Sequence, residues 1–275
     1  MTLRILFPVL ILAVVLSAPA YAAKSKAATK TEPATAAPEE AAPAADLPDA
    51  RALLKKYVEV GGYEKLRETK NQAMVGTFAI PAQGLEAAMK VWAAAPNLIL
   101  VSVNIPGMGE AIEGFDGTRG WSVDPVSGPN LKDGDLAAEA AFDADYFDVL
   151  DPTRFVEATT LAREDFHGTA AYKVRLKPRV GAEMTAWYGV ESGLELGQKT
   201  VQPTPMGDIP VATRNLEYRE FNGMQFPTRM EQTMMGMTQV ISIDSMEFDV
   251  DPAPDFAPPQ AVQELLEELP AAKPE

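Results

Sequence analysis

From residue 74 to residue 248 the chain keeps a period of two, and this alternation restricts its fold more than any other feature. Segments 74–80, 85–93, 98–105 and 110–115, and then 155–164, 170–177, 184–190, 197–202, 210–219, 225–235 and 238–248, read as strands bounded by Gly, Pro and Asn. About eleven strands joined by such short gaps form an antiparallel meander, because a parallel pair needs a crossover of roughly a dozen residues or more. Two gaps carry specific turn chemistry. Asn222-Gly223 supplies positive φ at little cost and predicts a hairpin, and His167-Gly168 predicts another.

One amphipathic helix precedes the strands. Asp49 stands at its start as a cap, and Ala50, Leu53, Leu54, Tyr57 and Val58 recur at helical spacing over 49–60. Gly61-Gly62 stops it, and a second helical turn follows at 63–69. A meander this long twists and curls. In its third strand Leu98 and Leu100 point one way and Ile99, Val101 and Val103 the other, so both faces need cover. One helix and a few turns are too little to fill the concavity. The expected fold is therefore α+β and mostly antiparallel: a curved half-barrel sheet with helices covering the concave face around a hydrophobic cavity.

Composition narrows the function. The 275 residues carry 24 basic and 39 acidic side chains, a net charge of -15, with no Lys/Arg stripe, so nucleic acid is not an expected partner. The absence of cysteine excludes disulfides, thiolate metal sites and thiol catalysis. The one histidine, His167, lies in a turn without supporting carboxylate or serine, which argues against a nucleophile relay. The expectation is a protein that is not an enzyme and holds no cofactor or metal. Asp133, Asp135, Asp143, Asp145, Asp148 and Asp151 do not follow the twelve-residue calcium loop. They read as a solvated loop, or as the wet side of a helical lid over 136–150 whose apolar members are Phe142, Tyr146, Phe147, Val149 and Leu150.

The ends have their own chemistry. Residues 1–22 read as a cleaved secretory signal, with Arg4, an apolar run to Leu16 and Ala20-Tyr21-Ala22 before the cut. No cysteine follows the cut to take a lipid, so the expected location is the periplasm without an anchor. Residues 23–47 are an Ala/Pro-rich linker with little to bury. The folded domain is expected over 48–256, and residues 257–275 form an acidic tail with room for one short helix over 260–269.

Several local patterns then occur in a telling order. They are Gly61-Gly62-Tyr63-Glu64-Lys65-Leu66, Phe115-Asp116-Gly117-Thr118-Arg119-Gly120-Trp121 with Asp124-Pro125, and Gly168 leading to Ala171-Tyr172-Lys173-Val174. After these come Tyr188 with Glu191-Ser192-Gly193-Leu194, and Tyr218 through Pro227. Together they resemble the LolA/LolB-like family of outer-membrane lipoprotein-sorting proteins over about residues 50–256. The resemblance implies a half-barrel whose hydrophobic cavity holds acyl chains. It also implies a monomeric periplasmic carrier of a lipid or acyl-modified lipoprotein, handing its cargo to a partner in the inner or outer membrane. The alternative is a non-enzymatic accessory module that binds an envelope transporter or protein through its sheet surface.

The candidate cavity residues are Leu54, Trp92, Leu98, Leu100, Trp121, Phe142, Phe147, Trp187, Phe226, Met230 and Met234. A buried indole needs a partner for its N–H, which a cavity rim supplies, although plain sheet packing also explains a tryptophan. Trp121 is the leading candidate because it also sits in a family-like segment. Met230 and Met234 share a strand face with Phe226, and methionine suits either an adaptable lining or ordinary core filling.

Overall fold

The computed structural model describes residues 47–202 and 208–268. The expected signal and all but the end of the expected linker lie outside the described residues. Helix α1 (Ala50–Gly61) starts at the Asp49 cap, whose carboxylate accepts the Ala52 N–H at 3.0 Å. It stops at Gly62, whose φ of 68° closes the last turn. A Cβ on Gly62 would lie 2.5 Å from the Gly223 carbonyl oxygen, so the helix end rests directly on the Asn222-Gly223 turn. A Cβ on Gly61 would meet the Tyr63 ring at 2.2 Å. Both glycines are thus demanded by close approach, and a 3-10 turn (Tyr63–Glu68) follows.

The strands are β1 (Asn71–Ile80), β2 (Leu85–Ala94), β3 (Leu98–Ile105), β4 (Gly109–Asp116), β5 (Gly120–Asp124) and β6 (Gly128–Leu131). Helix α2 (Gly134–Asp143) and a 3-10 turn (Asp148–Leu150) come next. Then follow β7 (Phe155–Phe166), β8 (Thr169–Pro178), β9 (Met184–Gly189), β10 (Glu195–Gln202), β11 (Ile209–Phe221), β12 (Met224–Met234) and β13 (Met237–Phe248). Helix α3 (Gln260–Glu268) ends the described chain.

All thirteen strands form one sheet, in the order β6-β5-β4-β3-β2-β1-β13-β12-β11-β10-β9-β8-β7. Every neighbouring pair is antiparallel. The sheet is an open, curved half-barrel assembled from two meanders. The first runs outward from β1 to β6, the second runs inward from β7 to β13, and β1 and β13 join them at the centre. Residues 132–154 carry the chain from one outer edge to the other. The expected eleven strands lack β5 and β6, which have only five and four residues. Proline is tolerated within β6 because that strand is an edge.

The two faces of the sheet differ. On the inner face Met74, Phe78, Met89, Val91, Ile99, Val101, Phe115, Val174, Leu176, Ala186, Tyr188, Phe226, Met230, Ile241 and Ile243 make one continuous apolar cluster. Leu53, Tyr57, Tyr63 and Leu66 join it from α1 and the following turn, and Ala140, Ala144, Tyr146, Val149 and Leu150 join it from the 132–154 connection. Gly120 makes that approach feasible, since a Cβ there would lie 2.9 Å from the Ala140 methyl.

The chain does not leave the fold at Phe256. Phe256 is buried, and α3 packs on β5 and β6 with Val262 fully enclosed. Among the described residues no helix is long and apolar enough to cross a membrane.

Candidate functional site

The inner face gathers side chains row by row across the strands. One row runs through Ala87, Phe78, Ile241, Met230 and Asn215 on β2, β1, β13, β12 and β11. Phe226, earlier on β12, meets Tyr63 edge-on at 5.6 Å, and Tyr63 meets Tyr57 at 5.1 Å. Tyr57 in turn meets Tyr188 edge-on at 5.7 Å, tying α1 to β9. The Tyr57 and Tyr63 hydroxyls are 3.0 Å apart, and Tyr63 donates to the Gln225 carbonyl. The Tyr218 hydroxyl donates to the Glu195 carbonyl at 2.7 Å. Burial first, and the nearby Glu195 charge second, push the phenols of Tyr188 and Tyr218 well above the usual range. Burial does the same for Tyr57 and Tyr63. These tyrosines stay neutral around pH 7. They fix the helix on the sheet and present mostly ring surface to the interior.

The 132–154 connection closes one side of this surface. Arg154, only 3% exposed, donates to the Phe142 carbonyl at 3.1 Å and to Asp143 Oδ1 at 3.2 Å, with Asp148 Oδ2 at 3.5 Å. Its guanidinium also lies 3.9 Å from the centre of the Phe142 ring. Burial pushes the Asp148 carboxyl up to about 6 even though the Arg154 charge opposes the shift. The expectation that the acids of this segment all face water is thus corrected at Asp143 and Asp148, which turn in to satisfy a buried arginine. Tyr146 hydrogen-bonds Thr69 Oγ1 at 2.7 Å, which fastens the connection to the turn after α1. Glu113 and Lys132 form a buried ion pair beside a small cavity of about 10 Å³ lined by Ile99, Val101, Phe115 and Ala140.

The predicted site residues divide between the faces. Phe226 and Met230 lie in the inner cluster, and Leu54 and Phe147 pack against it. Met234 is buried in the same row phase but groups with Ile209 and Val211 toward the end of β12. Phe142 lies under Arg154. Trp92, Leu98, Leu100, Trp121 and Trp187 sit on the outer face. Trp92 pairs with Leu100, Leu100 with Gly114, and Gly114 with Trp121, whereas the core members Ala93, Ile99 and Phe115 hold the opposite phase.

Trp121 is nonetheless only 1% exposed. Its ring lies over Gly114, where a Cβ would come within 2.6 Å, on the strand that α3 covers. Trp187 stacks on Phe166 at 4.7 Å and donates its N–H to Glu164 at 2.7 Å. The rest of the family-like segment shapes the hairpin. Asp116 Oδ1 accepts from the Thr118 and Arg119 N–H groups, and Asp124 Oδ1 accepts from those of Val126 and Ser127.

Sequence reading missed a polar stripe on the inner face. Gln198 pairs with Thr213, Thr213 with Gln232, and Gln232 with Gln239, on four adjacent strands. The signal was available as a polar residue standing at the apolar phase, in Met230-Glu231-Gln232-Thr233-Met234 and in Gln239-Val240-Ile241-Ser242-Ile243.

No family model matches the chain, and no curated protein matches it. Solved structures do. A DUF1329 family protein from Desulfovibrio piger aligns with a TM-score of 0.53 at 12% identity, covering 74% of this chain and 95% of that one. A LolA superfamily protein from Nitrosomonas europaea aligns at 0.51 and 16% identity, covering 77% of this chain and 99% of that one. The fold is LolA/LolB-like. At such low identity the likeness concerns architecture.

Proposed function

We propose that this chain is a periplasmic carrier that holds the acyl chains of a lipid or lipoprotein against the inner face of its half-barrel and passes them to a membrane partner. The observation that carries this reading is the single apolar cluster that joins Phe78 to Tyr188 through Tyr63 and Tyr57 on the inner face of an open, curved sheet, under α1 and the 132–154 connection. Each methylene moved from water into such surroundings contributes about 0.8 kcal/mol, so hydrocarbon burial supplies the holding energy, and more than one chain holds more firmly than one. The role is non-enzymatic and needs no metal or cofactor. The buried tyrosines are held neutral, and Asp148 is engaged by Arg154.

Mass spectrometry of an organic extract of protein purified from its native periplasm tests the proposal. The expected result is a stoichiometric acylated species that is depleted in a Met230→Asn variant retaining the wild-type far-UV spectrum. A folded protein that carries no acylated species and binds none when offered would overturn it.

One observation favours a second reading, an accessory module that binds an envelope protein. Strand β7 has no strand neighbour on one side, runs for twelve residues, and exposes Val156 at 53% and Leu161 at 40%. Such an edge accepts an added strand.

A further inference from the structure

The polar stripe on the inner face has no evident structural use. Gln239 is 0% exposed and Gln232 is 8% exposed, and neither Gln239 Oε1, Gln239 Nε2 nor Gln232 Oε1 has a hydrogen-bond partner. Gln198 Oε1, two strands further along the row, is buried and unpartnered as well. Asn215 Oδ1 adds a fourth side chain one row away, although its Nδ2 is engaged by the Glu195 carbonyl. At about 4.8 Å per strand the stripe spans roughly 14 Å. Apolar rows flank it, with Met230 and Ile241 on one side and Val211 and Met234 on the other.

A buried amide left unpaired is costly, so a row of them between two apolar rows points to groups that arrive with the occupant. The unpartnered set is mostly acceptor oxygens with one donor nitrogen, and an amide oxygen and nitrogen can exchange places by a flip of the side chain. An occupant that offers both N–H and C=O completes such a set, whereas an ester offers acceptors alone. Charge is not called for. The nearest cations along these strands, Arg214 and Lys199, hold the opposite phase, where Arg214 faces Glu231 and Lys199 lies 5.6 Å from the Trp187 ring.

We propose that Gln198, Gln232 and Gln239 receive the amide linkage of an N-acylated cargo, with its hydrocarbon lying on the flanking apolar rows. This rests on the carrier reading and narrows it from acyl chains in general to amide-linked ones. Competition against the fluorescent apolar probe N-phenyl-1-naphthylamine separates the two claims. The competitors are N-methyldodecanamide and methyl dodecanoate, which share a chain length and differ in the linkage.

For the wild type the amide is expected to displace the probe at about tenfold lower concentration than the ester, the size of a hydrogen bond or two. In a Gln232→Met/Gln239→Met variant that preference is expected to vanish while the ester still competes. The melting temperature of the empty variant is expected to rise, because unpaired buried amides have been removed. The single Gln239→Leu variant gives an independent reading of the same trend. Equal competition by amide and ester in the wild type, or a preference that survives in the double variant, would overturn the assignment of the stripe and leave the carrier reading intact. If neither competitor nor probe binds, the carrier reading fails and the assignment with it.

Discussion

Single side chains on the two faces should answer differently to truncation. Trp121 is packed on the outer face over Gly114, so Trp121→Ala is expected to lower unfolding free energy by about 3–5 kcal/mol while the acyl content of the folded protein stays unchanged. Urea titration together with mass spectrometry of the extract checks both halves of that statement. Asp148 gives a prediction in pH. Its folded carboxyl sits at about 6, above the ordinary value of 3.8, so the fold favours the protonated form. The stability tied to that preference is fully present below about pH 4 and is lost as pH rises through about 6. Comparing urea midpoints at pH 4.5 and pH 7.5 should show the wild type losing ground to Asp148→Asn as pH rises. A difference between the two proteins that does not change with pH would contradict it. The opposite faces of a strand also explain what could be read in advance about the site. The inner-face placement of Phe226 and Met230 is legible because β12 alternates cleanly between its faces. On β3 both phases are apolar, and alternation alone does not say whether Leu100 or Ile99 turns inward. The large indoles suit a cavity rim by their chemistry, yet their phase, set by pairing across Gly114 and Gly197, places them outside.

At the scale of elements, turns with strong local chemistry were the legible ones. His167 and Asn222 both adopt positive φ ahead of a glycine, as their hairpins require. Met235-Gly236 makes a turn of the same kind, but a methionine at φ 51° carries no such signal in sequence, so the strand expected over 225–235 extends one residue into it. Strands β5 and β6 were missed because so few residues, interrupted by glycine and proline, show no measurable period. The union of the Gly61-Gly62 stop with the Asn222-Gly223 turn lay beyond any local reading, since it joins residues about 160 positions apart. Gly62→Ala is expected to cost more than the ordinary 1 kcal/mol of a strained φ, because its methyl also collides with the Gly223 carbonyl. The C-terminal segment makes a further prediction. Ending the chain after Asp251 removes the buried Phe256 and the α3 helix that packs on β5 and β6, and it should lower the melting temperature while the β-sheet circular dichroism signal persists.

The whole molecule is two meanders with a single seam. Each meander is built from neighbours in sequence, and only the pairing of β1 with β13 joins them, matching Gln72 to Phe248 and Ala79 to Val240 across most of the chain. This seam runs down the middle of the sheet, so the inner face is divided until the last strand arrives. A chain ending at Gly236 would keep twelve strands, yet it is expected to remain without a cooperative thermal transition and to bind hydrophobic dyes. A cooperative melt for that fragment would contradict the seam's importance. The same topology bears on biogenesis. A polypeptide threaded through an export channel from its N-terminus releases β1 early and β13 almost last. Throughout that interval the forming basin is open along its midline, so on the proposed carrier reading the arrival of β13 also sets the earliest moment at which a passenger can be accepted.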